Sequence, residues 1–130
     1  VQAFARIGLV PDGGTTFVLP RRIGWARAME MSMLAEPLPA EKALEWGLVN
    51  RVFEDSDELM KGAMQTASKL ASGPKTHGKM RQLFWSTWHN AYDQQLELEA
   101  KVQVQAGQTY DFGEGSDAFR NKRPPEFKGR

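Results

Sequence analysis

Apolar residues in this chain recur mostly at helical spacing, and glycine and proline cut the pattern into short blocks. Leu59, Ala63, Ala67, Leu70 and Ala71 fall every three or four positions and predict one face of a helix that stops at Ser72-Gly73-Pro74. Asp55 and Glu58 stand at capping-box spacing ahead of it, with Asp in place of the usual Ser or Thr. A second long helix is predicted from about Pro74 to Trp88, with Met80, Leu83 and Phe84 inward. A third runs from about Tyr92 to Thr109. Its stripe of Leu96, Val102 and Ala106 is thin and interrupted by Glu99 and Gln103, so it leans on a partner for stability. Asp117 to Asn121 reads as a last short helix. The tail from Lys122 to Arg130 reads as extended, because Pro124-Pro125 cannot continue a helix.

The first fifty residues are more broken. Residues 3–10 read as a short buried strand or extended segment. Pro11-Asp12-Gly13-Gly14 is turn chemistry, since proline sets φ and the glycines permit conformations closed to other residues. Thr15-Thr16 open a short helix ending near Pro20, and Trp25 to Leu34 is rich in the helix formers Ala, Met and Leu. Pro39 suits the first turn of a helix over Ala40 to Trp46, closed by Gly47. Leu48 to Phe53 is apolar and β-branched, a second candidate strand. The expected fold is therefore mainly α, with one or two short strands. Two lone strands do not make a stable sheet. Together with an apolar start at Val1, this leads us to expect a piece of a longer chain.

Composition changes this picture little. The 130 residues are 41% hydrophobic and 25% charged, with a net charge of +1. No global field therefore favours nucleic acid or an anionic membrane. There is no cysteine, which excludes disulfides and thiolate metal sites and suits a reducing cytoplasm, the expected location. No apolar run approaches the ~20 residues of a membrane span.

Four stretches carry a resemblance. They are Ile7-Gly-Leu-Val-Pro-Asp-Gly-Gly-Thr-Thr-Phe-Val-Leu-Pro-Arg21 with Ile23-Gly24; Ala28-Met-Glu-Met31 through Ala40-Glu-Lys-Ala-Leu-Glu-Trp-Gly-Leu-Val-Asn-Arg-Val-Phe53; Ala71-Ser-Gly-Pro74 with a basic helix after it; and Glu114-Gly-Ser-Asp-Ala-Phe-Arg-Asn-Lys-Arg-Pro-Pro-Glu-Phe127. In this order and spacing they resemble the C-terminal half of the crotonase (enoyl-CoA hydratase/isomerase) superfamily. The nearest branch holds the enoyl-CoA isomerases and the ring-opening isomerase of phenylacetate breakdown. The resemblance implies that residues 1–53 end a β-β-α spiral core and that residues 54–130 form a helical trimerisation region. It implies trimers or dimers of trimers for the intact protein. It also implies that the N-terminal spiral, with the backbone N–H pair that holds the thioester oxygen, lies outside this sequence.

Enolising a thioester needs a base for the α- or γ-proton and donors for the resulting oxyanion. By resemblance, Asp12 is the acid/base, with Pro11 and Gly13 beside it at the substrate pocket. From the residues alone, Asp before Gly-Gly-Thr-Thr reads first as a plain turn or helix-cap residue, and only the resemblance favours the catalytic role. Hydratases of the superfamily carry a second glutamate a few residues earlier, and that slot here holds Phe4, which cannot activate water. The implied reaction is therefore a double-bond shift in an acyl-CoA through one carboxylate. A hydratase or other thioester-processing member is one alternative, and a non-catalytic oligomerisation module another. By the same resemblance, Phe119 and Lys128 meet the CoA adenine or its phosphates. Residues 119–130 hold five basic residues against Glu126, a local charge of +4, which is also what a solvated basic tail looks like. No metal or redox cofactor is expected beyond the CoA of the substrate.

Several residues carry a plainer reading. His77 and His89 have no ligand-spaced neighbours and read as surface residues. Trp85 and Trp88, three apart, read as core or subunit interface. Met29, Met31 and Met33 read mostly as packing, although the helix that holds them could touch an acyl chain. Gly13-Gly14-Thr15 lacks the lysine of a phosphate loop.

Overall fold

The computed structural model describes residues 1–130 as seven α-helices and one 3-10 turn, with no strand. The chain divides into two compact units, Val1–Leu59 and Met60–Arg130. The boundary falls inside a helix.

In the first unit, the 3-10 turn Ala3–Ile7 leads to α1 (Thr15–Ile23), α2 (Trp25–Leu34) and α3 (Ala40–Glu45). Gly24, at φ 85° and ψ 159°, joins α1 to α2 in a conformation that a side chain would resist. The two helices fold against each other and bury Leu19, Ile23, Ala28 and Met31, with Leu38, Trp46 and Leu48 packed on this core. α1 does not end near Pro20 as expected but runs a turn further. Proline removes one donor from the ladder, yet Ile23 gains burial by staying helical.

Both expected strands are absent. Residues 3–10 close on themselves instead. Gly8 N–H donates to the Ala5 carbonyl at 3.3 Å and Leu9 N–H to the Phe4 carbonyl at 3.0 Å. Leu48 and Val49 both donate to the Ala43 carbonyl, at 2.9 and 3.3 Å, so the start of the second expected strand caps α3. A strand exists only through a partner's ladder, and neither segment has one here.

Ala35, at the end of α2, is 1% exposed and holds φ at 54°. A β-branched side chain meets strain there, and any larger one meets packed neighbours. We expect Ala35→Val to cost roughly 2–4 kcal/mol in urea denaturation, and Ala35→Gly to be neutral or stabilising by up to about 1 kcal/mol. Equal midpoints for the two variants would show that the left-handed conformation carries no strain.

α4 (Ser56–Ala71) spans the boundary. Its Glu58 N–H donates to Asp55 Oδ1 at 2.8 Å, which realises the predicted cap. α5 (Thr76–Ser86), α6 (Tyr92–Gly107) and α7 (Tyr110–Arg120) complete the second unit. α6 packs on both α5 and α7. Gln95 of α6 is buried, and its Nε2 donates to the Leu83 carbonyl of α5 at 3.2 Å. Lys79 Nζ on α5 reaches Gln105 Oε1 on α6 at 2.8 Å. No helix is long and apolar enough to cross a membrane.

Several expected faces are not covered. α4 buries no residue, so Leu59, Ala63, Ala67, Leu70 and Ala71 face outward. Met80, Phe84 and Leu96 are likewise exposed, and Leu83 is half-buried. Periodicity marks which face is apolar, but another surface is needed to bury it. The last helix is also longer than expected. It starts at Tyr110, capped by Thr109 Oγ1, which accepts from Phe112 N–H at 3.2 Å. Gly113 and Gly115, poor helix formers, had hidden its first half.

Candidate functional site

Asp12 sits on the turn that launches α1. Its carbonyl accepts from Thr15 N–H at 3.0 Å, and Gly13 and Gly14 follow at φ 61° and 80°. Gly14, not Asp12, is the N-cap residue, and no side chain caps this helix. The Asp12 carboxylate is thus exposed and is not used to close the helix end. Beside the turn lies an apolar groove of about 360 Å³, walled by Leu9, Val10, Pro11, Thr15 and Leu19 on one side and by Trp25, Met29 and Met33 of α2 on the other. Pro11 and Thr15, which bracket Asp12 and Gly13 in sequence, line this groove, whereas Asp12 and Gly13 are exposed and are not among its lining residues. Met31 is core, whereas Met29 and Met33 face the groove. Phe4 is half-buried in the preceding 3-10 turn.

Phe119 and Lys128 belong to the second unit. Phe119 is 85% exposed on α7 and lines a broader groove of about 610 Å³ together with Met80, Phe112 and Phe127. Lys128 Nζ lies 4.8 Å from the centroid of the Tyr110 ring, within cation–π range. Trp85 and Trp88 meet edge to face with centroids 4.6 Å apart. His77 is half-buried, with Nδ1 3.3 Å from the Leu70 carbonyl oxygen, and its ring closes over Gly73, where a Cβ would collide with it.

The sequence reading missed what organises this end of the molecule. The tail after α7 is not free. Arg123 forms a bidentate pair with Glu114, at 2.6 and 2.9 Å, and also reaches Asp117 Oδ2 at 2.7 Å. Arg123 is one of the five basic residues of 119–130, and these two carboxylates occupy it. Glu126 N–H donates to Glu114 Oε1 at 2.8 Å. One turn earlier, the carboxylate of Asp111 is buried at 1% exposure. It accepts from Lys128 N–H at 2.7 Å on one oxygen and from Lys75 N–H at 2.8 Å on the other. A signal existed: Asp111, Glu114 and Asp117 recur every third residue on one helix face, just ahead of a basic tail.

These carboxyls are electrostatically shifted. Burial pushes Asp111 up, but the backbone N–H groups of Lys75, Lys128, Gly129 and Arg130 outweigh it and hold the carboxyl below its ordinary 3.8. The Arg123 guanidinium, then the Glu126 amide, bring Glu114 from 4.5 down to about 2. Arg123 is raised in turn, by Glu114 first and then Asp117. A depressed carboxyl stabilises the fold above its unfolded pKa and loses that contribution as pH falls through the folded one. Acid unfolding of the second unit should therefore gain a component between about pH 4.5 and pH 2 that Glu114→Gln removes. Parallel acid titrations of both forms by circular dichroism check this, and superimposable curves would refute it.

The Enoyl-CoA hydratase/isomerase family model matches residues 1–130. The chain is 44% identical over 131 aligned residues to a Rhodobacter capsulatus protein named "Probable enoyl-CoA hydratase", covering all of this chain and 51% of that protein. It is 43% identical to the 1,2-epoxyphenylacetyl-CoA isomerase of Escherichia coli K12, again covering all of this chain and 50% of the relative. Among solved structures, an enoyl-CoA hydratase from Polaromonas sp. JS666 superposes with a TM-score of 0.90 at 31% identity, over 97% of this chain and 49% of that one. The chain thus spans about half the length of the relatives it matches. It belongs to the enoyl-CoA hydratase/isomerase family, the crotonase superfamily that its four motifs resemble.

Proposed function

We propose that the protein containing this chain is an isomerase that shifts a double bond in an unsaturated or ring-modified acyl-CoA, with Asp12 moving the proton. The observation that carries the reading is an exposed carboxylate, not used to cap α1, on the residue next to Pro11, which lines an apolar groove together with Met29 and Met33. Such a groove suits a hydrocarbon chain, and the turn that forms part of its wall carries the one carboxylate that would act as the base. Phe4, in the position where the family's hydratases carry a second glutamate, supports isomerisation over hydration. So does the likeness to an epoxyphenylacetyl-CoA isomerase.

Asp12 takes a proton from the α- or γ-carbon as the dienolate forms and returns it to the other end of the allylic system. The double bond moves and no atom is gained or lost. The negative charge that collects on the thioester oxygen is stabilised by backbone N–H donors contributed from outside these 130 residues. Phe119 and Lys128 contact the nucleotide end of CoA. The intact protein is a trimer or a dimer of trimers and requires no metal or redox group. The test is the isomerisation rate of the Asp12→Asn protein, set against its affinity for acyl-CoA.

A further inference from the structure

The C-terminal tail has no regular secondary structure after Arg120, yet its backbone is pinned at residues 126, 128 and 130. Glu126 N–H is held by Glu114, and Lys128 N–H by Asp111. The Arg130 carbonyl accepts from Asp111 N–H at 3.1 Å. Asp111 therefore grips the tail through both its side chain and its own amide. Gly129 holds φ at 69°, a left-handed conformation that turns successive N–H groups to one side. The Lys128 N–H donates to one oxygen of the carboxylate and the Lys75 N–H to the other, and the Gly129 and Arg130 amides add to the field that favours its charged form, so that this end of the tail makes a small anion-binding nest.

This arrangement settles where the tail's cations go. Lys128 Nζ lies 4.8 Å and the Arg130 guanidinium 5.8 Å from the ring of Tyr110, the residue next to Asp111. A lysine on a loose tail would have to be ordered when a phosphate binds, at a cost in entropy. A lysine whose backbone is already anchored avoids much of it.

We infer that Asp111 is a positioning residue for the CoA end of the substrate: by holding the backbone of Lys128–Arg130 in the nest, it places the Lys128 ammonium to meet a CoA phosphate. This rests on the reading that Lys128 contacts CoA, and it adds how that contact is built. Both carboxylate oxygens are in use, so Asp111→Asn turns an NH₂ group toward a backbone N–H and opens the nest. Gly129→Val opens it from the tail side and leaves Asp111 in place, because a β-branched residue does not readily hold that φ.

The experiment uses the full-length protein and two probes that do not react, octanoyl-CoA and octanoyl-pantetheine. Calorimetry gives the affinity for each. Lys128→Ala should weaken octanoyl-CoA about tenfold, the worth of a charge-assisted contact, with less than twofold effect on octanoyl-pantetheine, which lacks the nucleotide. Asp111→Asn and Gly129→Val should reproduce this selectivity at about five- to tenfold. Combining Asp111→Asn with Lys128→Ala should cost no more than Lys128→Ala alone, because both act through one contact. Two results overturn the inference while leaving Lys128's role intact: equal losses on both probes, which mark a purely structural role, and additive losses in the double variant. If Lys128→Ala leaves octanoyl-CoA affinity unchanged, the reading of Lys128 itself fails, and the inference with it.

Discussion

Asp12→Asn in the intact protein should lower isomerisation of a 3-enoyl-CoA by about 10²–10⁴-fold, the usual worth of a positioned general acid/base. Affinity for the acyl-CoA should stay within about threefold. Asparagine matches aspartate in size but does not take up a proton at neutral pH, so the variant removes the chemistry and keeps the shape. The structure makes this a clean test. The carboxylate caps no helix, and substitutions at such exposed positions usually change stability by no more than about 0.5 kcal/mol. Thermal melting should therefore place the variant beside the parent, and a rate loss would then report on catalysis alone. Unchanged turnover would remove Asp12 from the mechanism and leave only the family relationship. Lost affinity together with lost rate would assign Asp12 to binding.

The 130-residue chain alone should show no isomerisation above background, even with Asp12 intact. The proposed reaction needs two backbone donors at the thioester oxygen, and removing one such donor typically costs 10²–10³-fold. Losing both should therefore cost about 10⁴-fold or more. The surface of the chain agrees with this expectation. Leu59, Met64, Leu70, Phe84 and Leu96 are each exposed in it, and large apolar side chains left uncovered on helices of this kind call for another surface to bury them. Coupled spectrophotometric assay of the purified 130-residue chain beside the full-length protein makes the comparison. Robust activity from the short chain would show that everything needed for the reaction lies within these residues.

How legible the molecule was depended on the range of the interactions. α2 and α6 begin at the predicted residues, and α3, α4 and α5 lie close to their predicted spans, because caps, breakers and the 3.6-residue period act over a few neighbours. The four motifs identified the family, since their order and spacing are themselves properties of the sequence. The Pro-Asp-Gly-Gly turn was equally local, and its glycines take the positive φ that their identity suggested.

The burial of apolar faces was not legible. Leu59 and Phe84 sit at the right period, but whether they are covered depends on a surface that periodicity does not describe. The two expected strands failed for the same reason, because β-branched residues describe a willingness to pair and not the presence of a partner. Asp111 is the sharpest case. In the sequence it is one acid between two aromatics in a charged region. Its meaning comes from Lys75 and Lys128, 36 and 17 positions away, whose amides meet on its two oxygens. The chain by itself determined the local helices, the turn that carries Asp12 and the family, since each is written in residues a few positions apart. Only the tertiary structure decided that Asp111 is a buried anchor and that Arg123 is already engaged, because hydrogen bonds between distant residues come into being when the chain folds back on itself.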